Sequence, residues 1–260
     1  MTAIGLIGCG GMAQDVVAAL RAADAASGMR IVGALARPGR SEAAQAKLYG
    51  VDILEALDEL IARKPSVVAE VASQAAVAEH VGTVLRSGID CLVISVGALA
   101  DATLFAKLKS AARDGNSRIL LPAGAIGGLD AIAAMRLSGL TSVRYRSRKP
   151  PLAWRGSPAE RQVDLGKVAK RTVGDVGILR IEQCSLPRRA LGLGFEATAV
   201  ELVADPDAGA NIHEIEAEGA TGRLAIELQG KPSRTNPKTS ALAALSVARA
   251  LLNEQATIVI

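Results

Sequence analysis

Aromatic residues are scarce in this 260-residue chain: one Trp, two Tyr and two Phe, or 2% of the total. A core without aromatics must be built from Ala, Val, Leu and Ile. That suits a parallel sheet covered by helices better than an aromatic-rich β-sandwich. Cysteine is also rare. Cys9, Cys91 and Cys184 are odd in number, widely spaced, and form no CxxC pair. This argues against a disulfide framework or a structural zinc site and for a reducing compartment. No Lys/Arg-rich run is interleaved with aromatics, which weighs against nucleic acid as a partner. No apolar run is long enough to span a bilayer, and no basic segment precedes an apolar one at the start, so a cytoplasmic protein without a membrane partner is expected.

What is present is half hydrophobic, with 22% charged residues and a formal charge of +4. Such a chain buries a sizeable core, and its mild basicity fits an anionic ligand. Short continuous apolar runs at Ala3–Ile7, Ile31–Leu35, Val67–Val71 and Cys91–Val96 read as buried parallel strands, with a further candidate at Arg118–Leu121. Helical patterns alternate with them at Met12–Ala23, Ala75–Ser87 and Asp101–Ala112. Ser73 stands at an N-cap position, and Gly88 where a left-handed C-terminal residue is wanted. Strands separated by helices predict right-handed βαβ units and a doubly wound α/β sheet over residues 1–122.

The pattern changes at Pro122. After a helix at Leu129–Leu137, strand signals dominate: Thr141–Ser147, Thr198–Ala204, Asn211–Ala217 and Arg223–Gln229. Short turns join the last three, which predicts a second α+β domain over 123–238 with a mostly antiparallel sheet. A helix at Thr239–Leu252 and a strand at Thr257–Ile260 are expected to return to the first domain.

Gly8-Cys9-Gly10-Gly11-Met12-Ala13 reads G-x-G-x-x-A directly between the first strand and the first helix. The first glycine allows a tight turn, and the second lets a pyrophosphate approach the backbone. Ala13 lets helix and strand pack closely, and the helix N-terminus offers unpaired N–H groups to the phosphates. At the end of the second strand an acidic residue would hold the ribose 2′-OH of NAD. Here the chain reads Leu35-Ala36-Arg37-Pro38-Gly39-Arg40, with no carboxylate before Glu42. Arg37 and Arg40 suit a 2′-phosphate, or are solvated loop arginines; acceptance of NADP alongside NAD is expected.

Two other groups stand out. His213 is one of only two histidines, and strand alternation puts it on one face with Ile215 and Ala217, opposite Glu214 and Glu216. It is either a packing histidine or a proton-transfer group. Arg144, Arg146 and Arg148 share one strand face, which reads as an anion pocket, a solvated face or a dimer contact. His80, on the helix pattern of the first domain, reads as structural.

Three later stretches, taken with the glycine loop, resemble the L-aspartate dehydrogenase family. The first runs from Ser95-Val96-Gly97-Ala98-Leu99-Ala100-Asp101 to Pro122-Ala123-Gly124-Ala125-Ile126-Gly127-Gly128-Leu129-Asp130. The second is Arg148-Lys149-Pro150-Pro151-Leu152-Ala153-Trp154 and the residues after it. The third comprises Ala204-Asp205-Pro206, Asn211-Ile212-His213-Glu214 and Asn236-Pro237-Lys238-Thr239-Ser240. The resemblance implies a Rossmann domain, an α+β catalytic domain, a homodimer, and oxidation of L-aspartate to iminoaspartate. The imine would either hydrolyse to oxaloacetate and ammonia or feed pyridine nucleotide biosynthesis. It further implies a catalytic role for His213 and dinucleotide contacts from Ala125 as well as the glycine loop; no metal is implied. Aspartate carries two carboxylates, so its pocket should be basic, and Lys149 and, at a helix start, Lys238, Thr239 and Ser240 are the candidate substrate contacts. Another two-domain NAD(P) oxidoreductase, or a dinucleotide-binding homologue with impaired catalysis, remains open as an alternative.

The resemblance breaks in one place. Between Trp154 and Ala204 it leads to an expected Pro-x-Asn-x-Asn-Val-Ala-Ala stretch, one of whose asparagines would help to hold the nicotinamide carboxamide. This chain has no asparagine between Trp154 and Ala210, and reads Val176-Gly177-Ile178 onward to Leu191-Gly192 before the likeness resumes near Leu193.

Overall fold

The computed structural model describes residues 2–23, 28–39, 48–154, 177–179, 198–236 and 239–259. Arg40, Lys238 and nearly all of the atypical stretch lie outside these residues. The chain forms two compact units: Met1–Gly124 with Arg234–Asn236 and Leu242–Ile260, and Ala125–Ser233 with Pro237–Ala241.

The first unit is a parallel sheet of six strands: β1 (Thr2–Ile7), β2 (Met29–Leu35), β3 (Ile53–Leu54), β4 (Val67–Glu70), β5 (Asp90–Val93) and β6 (Ile119–Leu120), in the order β3-β2-β1-β4-β5-β6. The apolar runs are continuous because both faces are covered. On one face α1 (Gly11–Ala23) contributes Val16, Val17 and Leu20, and the C-terminal helix α7 (Ala241–Asn253) contributes Ala244, Val247 and Leu251. On the other face lie Leu60 of α2 (Leu57–Ala62), Val84 and Leu85 of α4 (Gly82–Arg86) and Leu108 of α5 (Ala102–Asp114). Each fully buried Leu or Val contributes roughly 1.5–3 kcal/mol. With so few aromatics, alanines such as Ala13 and Ala244 let the helices approach the sheet closely.

Local signals explain the ends. Ser73 Oγ accepts from the Ala76 amide, 3.2 Å away, and opens α3 (Gln74–Ala76). A π-helical turn at Val77–Val81 then leads into α4. Gly88 takes φ +76° after the helix. Asp101 caps α5 through the amides of Thr103 and Leu104. β3 and α2 were not expected from the sequence: a two-residue strand and a six-residue helix are too short for a periodic signal. The strand expected at Thr257–Ile260 is not formed over Thr257–Val259. Arg118 pairs with Glu254 at 2.9 Å just after α7, and the β-branched residues beyond it are left exposed, Ile258 at 80%.

In the second unit, α6 (Leu129–Ser138) packs on a sheet of β7 (Leu140–Lys149), β8 (Gly177–Leu179), β9 (Thr198–Ala204), β10 (Asn211–Gly219) and β11 (Gly222–Gly230). The order is β11-β10-β7-β9-β8, and every neighbouring pair is antiparallel except β7 and β9. Ile132 of α6 meets Val143, Tyr145, Val200, Leu202, Ile215 and Ala217 on the covered face. Among the described residues no helix is long and apolar enough to cross a membrane.

Candidate functional site

The first unit carries a cleft where the strand order reverses between β1 and β4, the place where open α/β sheets bind ligands. Its volume is about 1070 Å³, and its lining includes Gly8, Cys9, Gly10, Gly11, Met12, Arg37, Ala72, Ser73, Thr235 and Asn236. Gly8 has φ +115°, and a Cβ there would stand 2.9 Å from that of Ala72. At Gly10 a Cβ would meet nothing within 4 Å, so the backbone is bare toward the cleft. At Gly11 a Cβ would come within 2.9 Å of Thr235 Oγ1, which donates to the Gly11 carbonyl. The first i→i−4 bond of α1 runs from the Gln14 amide to Gly10 O, so the amides of Gly11, Met12 and Ala13 precede it. The side chain of Ala13 is fully buried, packed in the core. Bare backbone, early amides and a helix N-terminus form a cradle that fits a pyrophosphate.

Three features of this cleft escaped sequence reasoning. Thr235 and Asn236 arrive from more than two hundred residues away. Glu55 lines the cleft beside Arg37, and its Oε1 accepts from the Gly39 amide at 3.0 Å. A carboxylate therefore does reach the loop after β2, from the β3–α2 turn and not from β2 itself. Glu70, at the end of β4, is fully buried. It accepts from the amides of Ala72 and Ser73, both at 2.8 Å, and from the amide and hydroxyl of Ser95, both at 3.0 Å. One carboxylate thus ties together the loops after β4 and β5. Burial, then the negative charges of Glu70 and Asp90, push the Cys91 thiol well up, leaving it inert.

The second unit gathers a different group. On β10, His213 is 6% exposed and faces inward with Ile215 and Ala217, while Glu216 is exposed. Its register partner is Ser147, and Tyr145 lies two residues away on the same face of β7. Tyr145 Oη is 2.7 Å from His213 Nδ1, and the two rings are nearly parallel at 13°. Lys149, also on that face, holds its ammonium 5.2 Å from the centre of the Trp154 ring. Burial, and then the charge of Lys149, push the His213 imidazole down to about 4, so it is neutral at pH 7. Ser240 is buried next to Gly230, the register partner of Asn211, and so belongs to the same end of the sheet. Thr239 accepts at its carbonyl from the Ser233 amide. Ala125 is half-buried in the turn that opens this unit.

Arg146 and Arg148 of the arginine stripe are engaged by carboxylates and do not form an open anion pocket. Arg146 pairs with Glu201 at 2.7 Å and Glu214 at 3.2 Å; Arg148 pairs with Asp205 at 2.8 Å and Glu214 at 3.2 Å. Neighbouring strands place carboxylates on the same face, the one opposite His213. Among the described residues no cluster of His, Cys, Asp and Glu is arranged to hold a metal ion.

Residues 8–122 match the family model for the NAD binding domain of homoserine dehydrogenase, and residues 189–254 match that for the C-terminal part of aspartate dehydrogenase. The chain is 43% identical to the L-aspartate dehydrogenase of Ruegeria pomeroyi, over 98% of this chain and 93% of that one. This chain belongs to the L-aspartate dehydrogenase family. Another member, from Ralstonia nicotianae, is 46% identical over 74% of this chain and 75% of its own. The crystal structure of aspartate dehydrogenase from Thermotoga maritima shares the fold, with a TM-score of 0.71 at 22% identity, over 100% of this chain and 99% of that one.

Proposed function

We propose that this member of the L-aspartate dehydrogenase family oxidises L-aspartate to iminoaspartate with NAD or NADP, the imine then hydrolysing to oxaloacetate and ammonia. The observation that carries this reading is the inward-facing group of His213, Tyr145 and Lys149 on the second sheet. When bound, the dinucleotide supplies the oxidised ring that accepts a hydride. The glycine loop, with Gly8, Gly10, Gly11, Met12 and Ala13, would hold its pyrophosphate. Arg37 and Glu55 would compete at the adenosine ribose, Arg37 favouring a 2′-phosphate and Glu55 a free 2′-hydroxyl. Ala125 remains a dinucleotide contact on the family resemblance alone.

In this reading Lys149, Thr239 and Ser240 bind substrate carboxylates, joined by Lys238 for its charge and its place just before them in the sequence. The ammonium of aspartate must lose a proton before the α-carbon C–H bond breaks with its electron pair and the C=N bond forms. Water must then give up a proton as it adds to the imine carbon, and ammonia leaves. His213, neutral at pH 7, has a lone pair for both proton transfers. An anionic substrate beside Lys149 offsets the charge that depresses the imidazole, and so makes it a stronger base once substrate is bound. We also place the protein in the cytoplasm, which its sparse cysteines support, as a homodimer with a product available to pyridine nucleotide biosynthesis, which the family resemblance supports.

The test is initial-rate NAD(P)H formation at alkaline pH with L-aspartate, D-aspartate and L-glutamate. Reduction with L-aspartate at a kcat/KM at least tenfold above the other two is expected. Equal rates with all three, or preference for another acid, would overturn the reading.

A further inference from the structure

We infer that Tyr145 is a positioning residue that selects the tautomer of His213, accepting a hydrogen bond from Nδ1–H so that the lone pair sits on Nε2. The inference rests on the proposed proton-transfer role of His213, but its geometry stands independently. Tyr145 is 4% exposed and His213 6%, and the Oη–Nδ1 distance of 2.7 Å leaves no room for an intervening water. With Nδ1 engaged by the phenol, Nε2 is the nitrogen left to meet substrate.

Two hydrogen-bond arrangements satisfy this contact. If the phenol donates, Nδ1 holds the lone pair, Nε2 carries a hydrogen, and the ring can only donate toward substrate. If Nδ1–H donates to the phenol oxygen, Nε2 is the basic nitrogen. The chemistry requires the second. When Nε2 then takes a proton, the imidazolium keeps its Nδ1–H···O bond, which steadies the cation in a buried place. No covalent bond to Tyr145 forms, and its own proton stays in place.

The surroundings make the phenol the natural choice for this task. Among the described residues Lys149 on β7 is the charged group that acts on the ring, and it disfavours the cation. The charged residues of α6, Asp130 and Arg136, are exposed. Glu214 and Glu227 lie on the opposite face of the sheet, and Leu228 is the partner of His213 on β11. A carboxylate in the place of Tyr145 would stabilise the imidazolium and raise its pKa, so that the ring would hold its proton more tightly. A neutral phenol orients the ring while leaving the proton easy to release.

The test is nitrogen NMR on protein labelled at histidine. The chain has only two histidines, so His213→Ala identifies the His213 signals by their absence. At pH 7 the wild type should show Nδ1 protonated and Nε2 bare. Tyr145→Phe should raise the Nε2–H population, lower kcat for L-aspartate about tenfold, equivalent to about 1.4 kcal/mol, and shift the acidic limb of the kcat/KM profile to lower pH, with KM changed less than about threefold. Global incorporation of 3-fluorotyrosine keeps the ring and hydroxyl with a weaker acceptor, so folding is not in question; since Tyr49 is the only other tyrosine, an intermediate shift is attributable to Tyr145. A wild-type ring protonated at Nε2, or a Tyr145→Phe protein with unchanged tautomer and pH profile, would overturn the inference. Because the tautomer is read without turnover, failure of the wild type to oxidise L-aspartate counts against the proposed function and leaves this result legible.

Discussion

Tyr145 on β7 and His213 on β10 meet diagonally across an antiparallel ladder, phenol oxygen to imidazole Nδ1 at 2.7 Å, on the covered face of the second sheet. Direct cross-strand partners are His213 with Ser147 and Ile215 with Tyr145. The diagonal contact exists because Tyr is long enough to reach two residues along the neighbouring strand.

Replacing His213 with Ala should lower turnover with L-aspartate by roughly 10²–10⁴-fold, the usual contribution of a positioned proton-transfer group. Dinucleotide affinity, measured by NADH fluorescence, should change less than about twofold, since the glycine loop belongs to the other unit. Near-normal turnover would remove His213 from the mechanism.

Stability should fall in acid. The folded imidazole of His213 stays neutral down to about pH 4, whereas an unfolded one protonates near 6.5. Between those values the unfolded chain binds more protons, so stability drops as pH falls from 6.5 toward 4, by up to about 3 kcal/mol. Urea unfolding at pH 7.0 and 4.5 should show a smaller loss for His213→Gln than for the wild type. Equal losses would mean that the imidazole is not held neutral.

Much of this was legible in the sequence, for identifiable reasons. Two-sided burial leaves continuous apolar strands, so β1, β2, β4 and β5 announce themselves. One-sided burial leaves the alternation that pointed His213 inward. What could not be read is what long-range folding brings together. Thr235 on Gly11, Glu55 on Gly39 and Glu70 on Ser95 are contacts between residues with no local pattern. The sequence alone also leaves the arginine stripe open between its readings, because the carboxylate partners of Arg146 and Arg148 come from β9, the turn after it and β10.

Cofactor choice should be balanced. With Arg37 and Glu55 both lining the cleft, NADPH should bind no more than about tenfold weaker than NADH, a difference of about 1.4 kcal/mol. Glu55→Gln should move the ratio toward NADPH and Arg37→Ala toward NADH. Fluorescence titration of the three proteins decides it; a wild-type preference of several hundredfold for NADH, or two variants shifting the same way, would contradict the assignment.

The stretch Val176–Gly192, where an expected asparagine motif is missing, should cost turnover more than binding. Without one orienting hydrogen bond the ring is mispositioned, and a slight misplacement of a reactive ring can cost about a hundredfold in rate. A peptide map across Lys170–Glu201 establishes the sequence of the expressed protein. If it stands as written, NADH binding should persist while turnover falls below the ordinary range of roughly 1–10³ per second; turnover within that range would show that the segment does not matter.

The most direct test of the central claim follows the hydrogen itself and needs only product, not a fast rate. Enzyme, NAD(P) and L-aspartate deuterated at the α-carbon are incubated, and the reduced dinucleotide is weighed by mass spectrometry. Deuterium from the α-carbon should appear in the NAD(P)H, with oxaloacetate and ammonia formed in equal amount. Reduced dinucleotide without deuterium, or no reduction at all with folded, NADH-binding protein, would contradict the account.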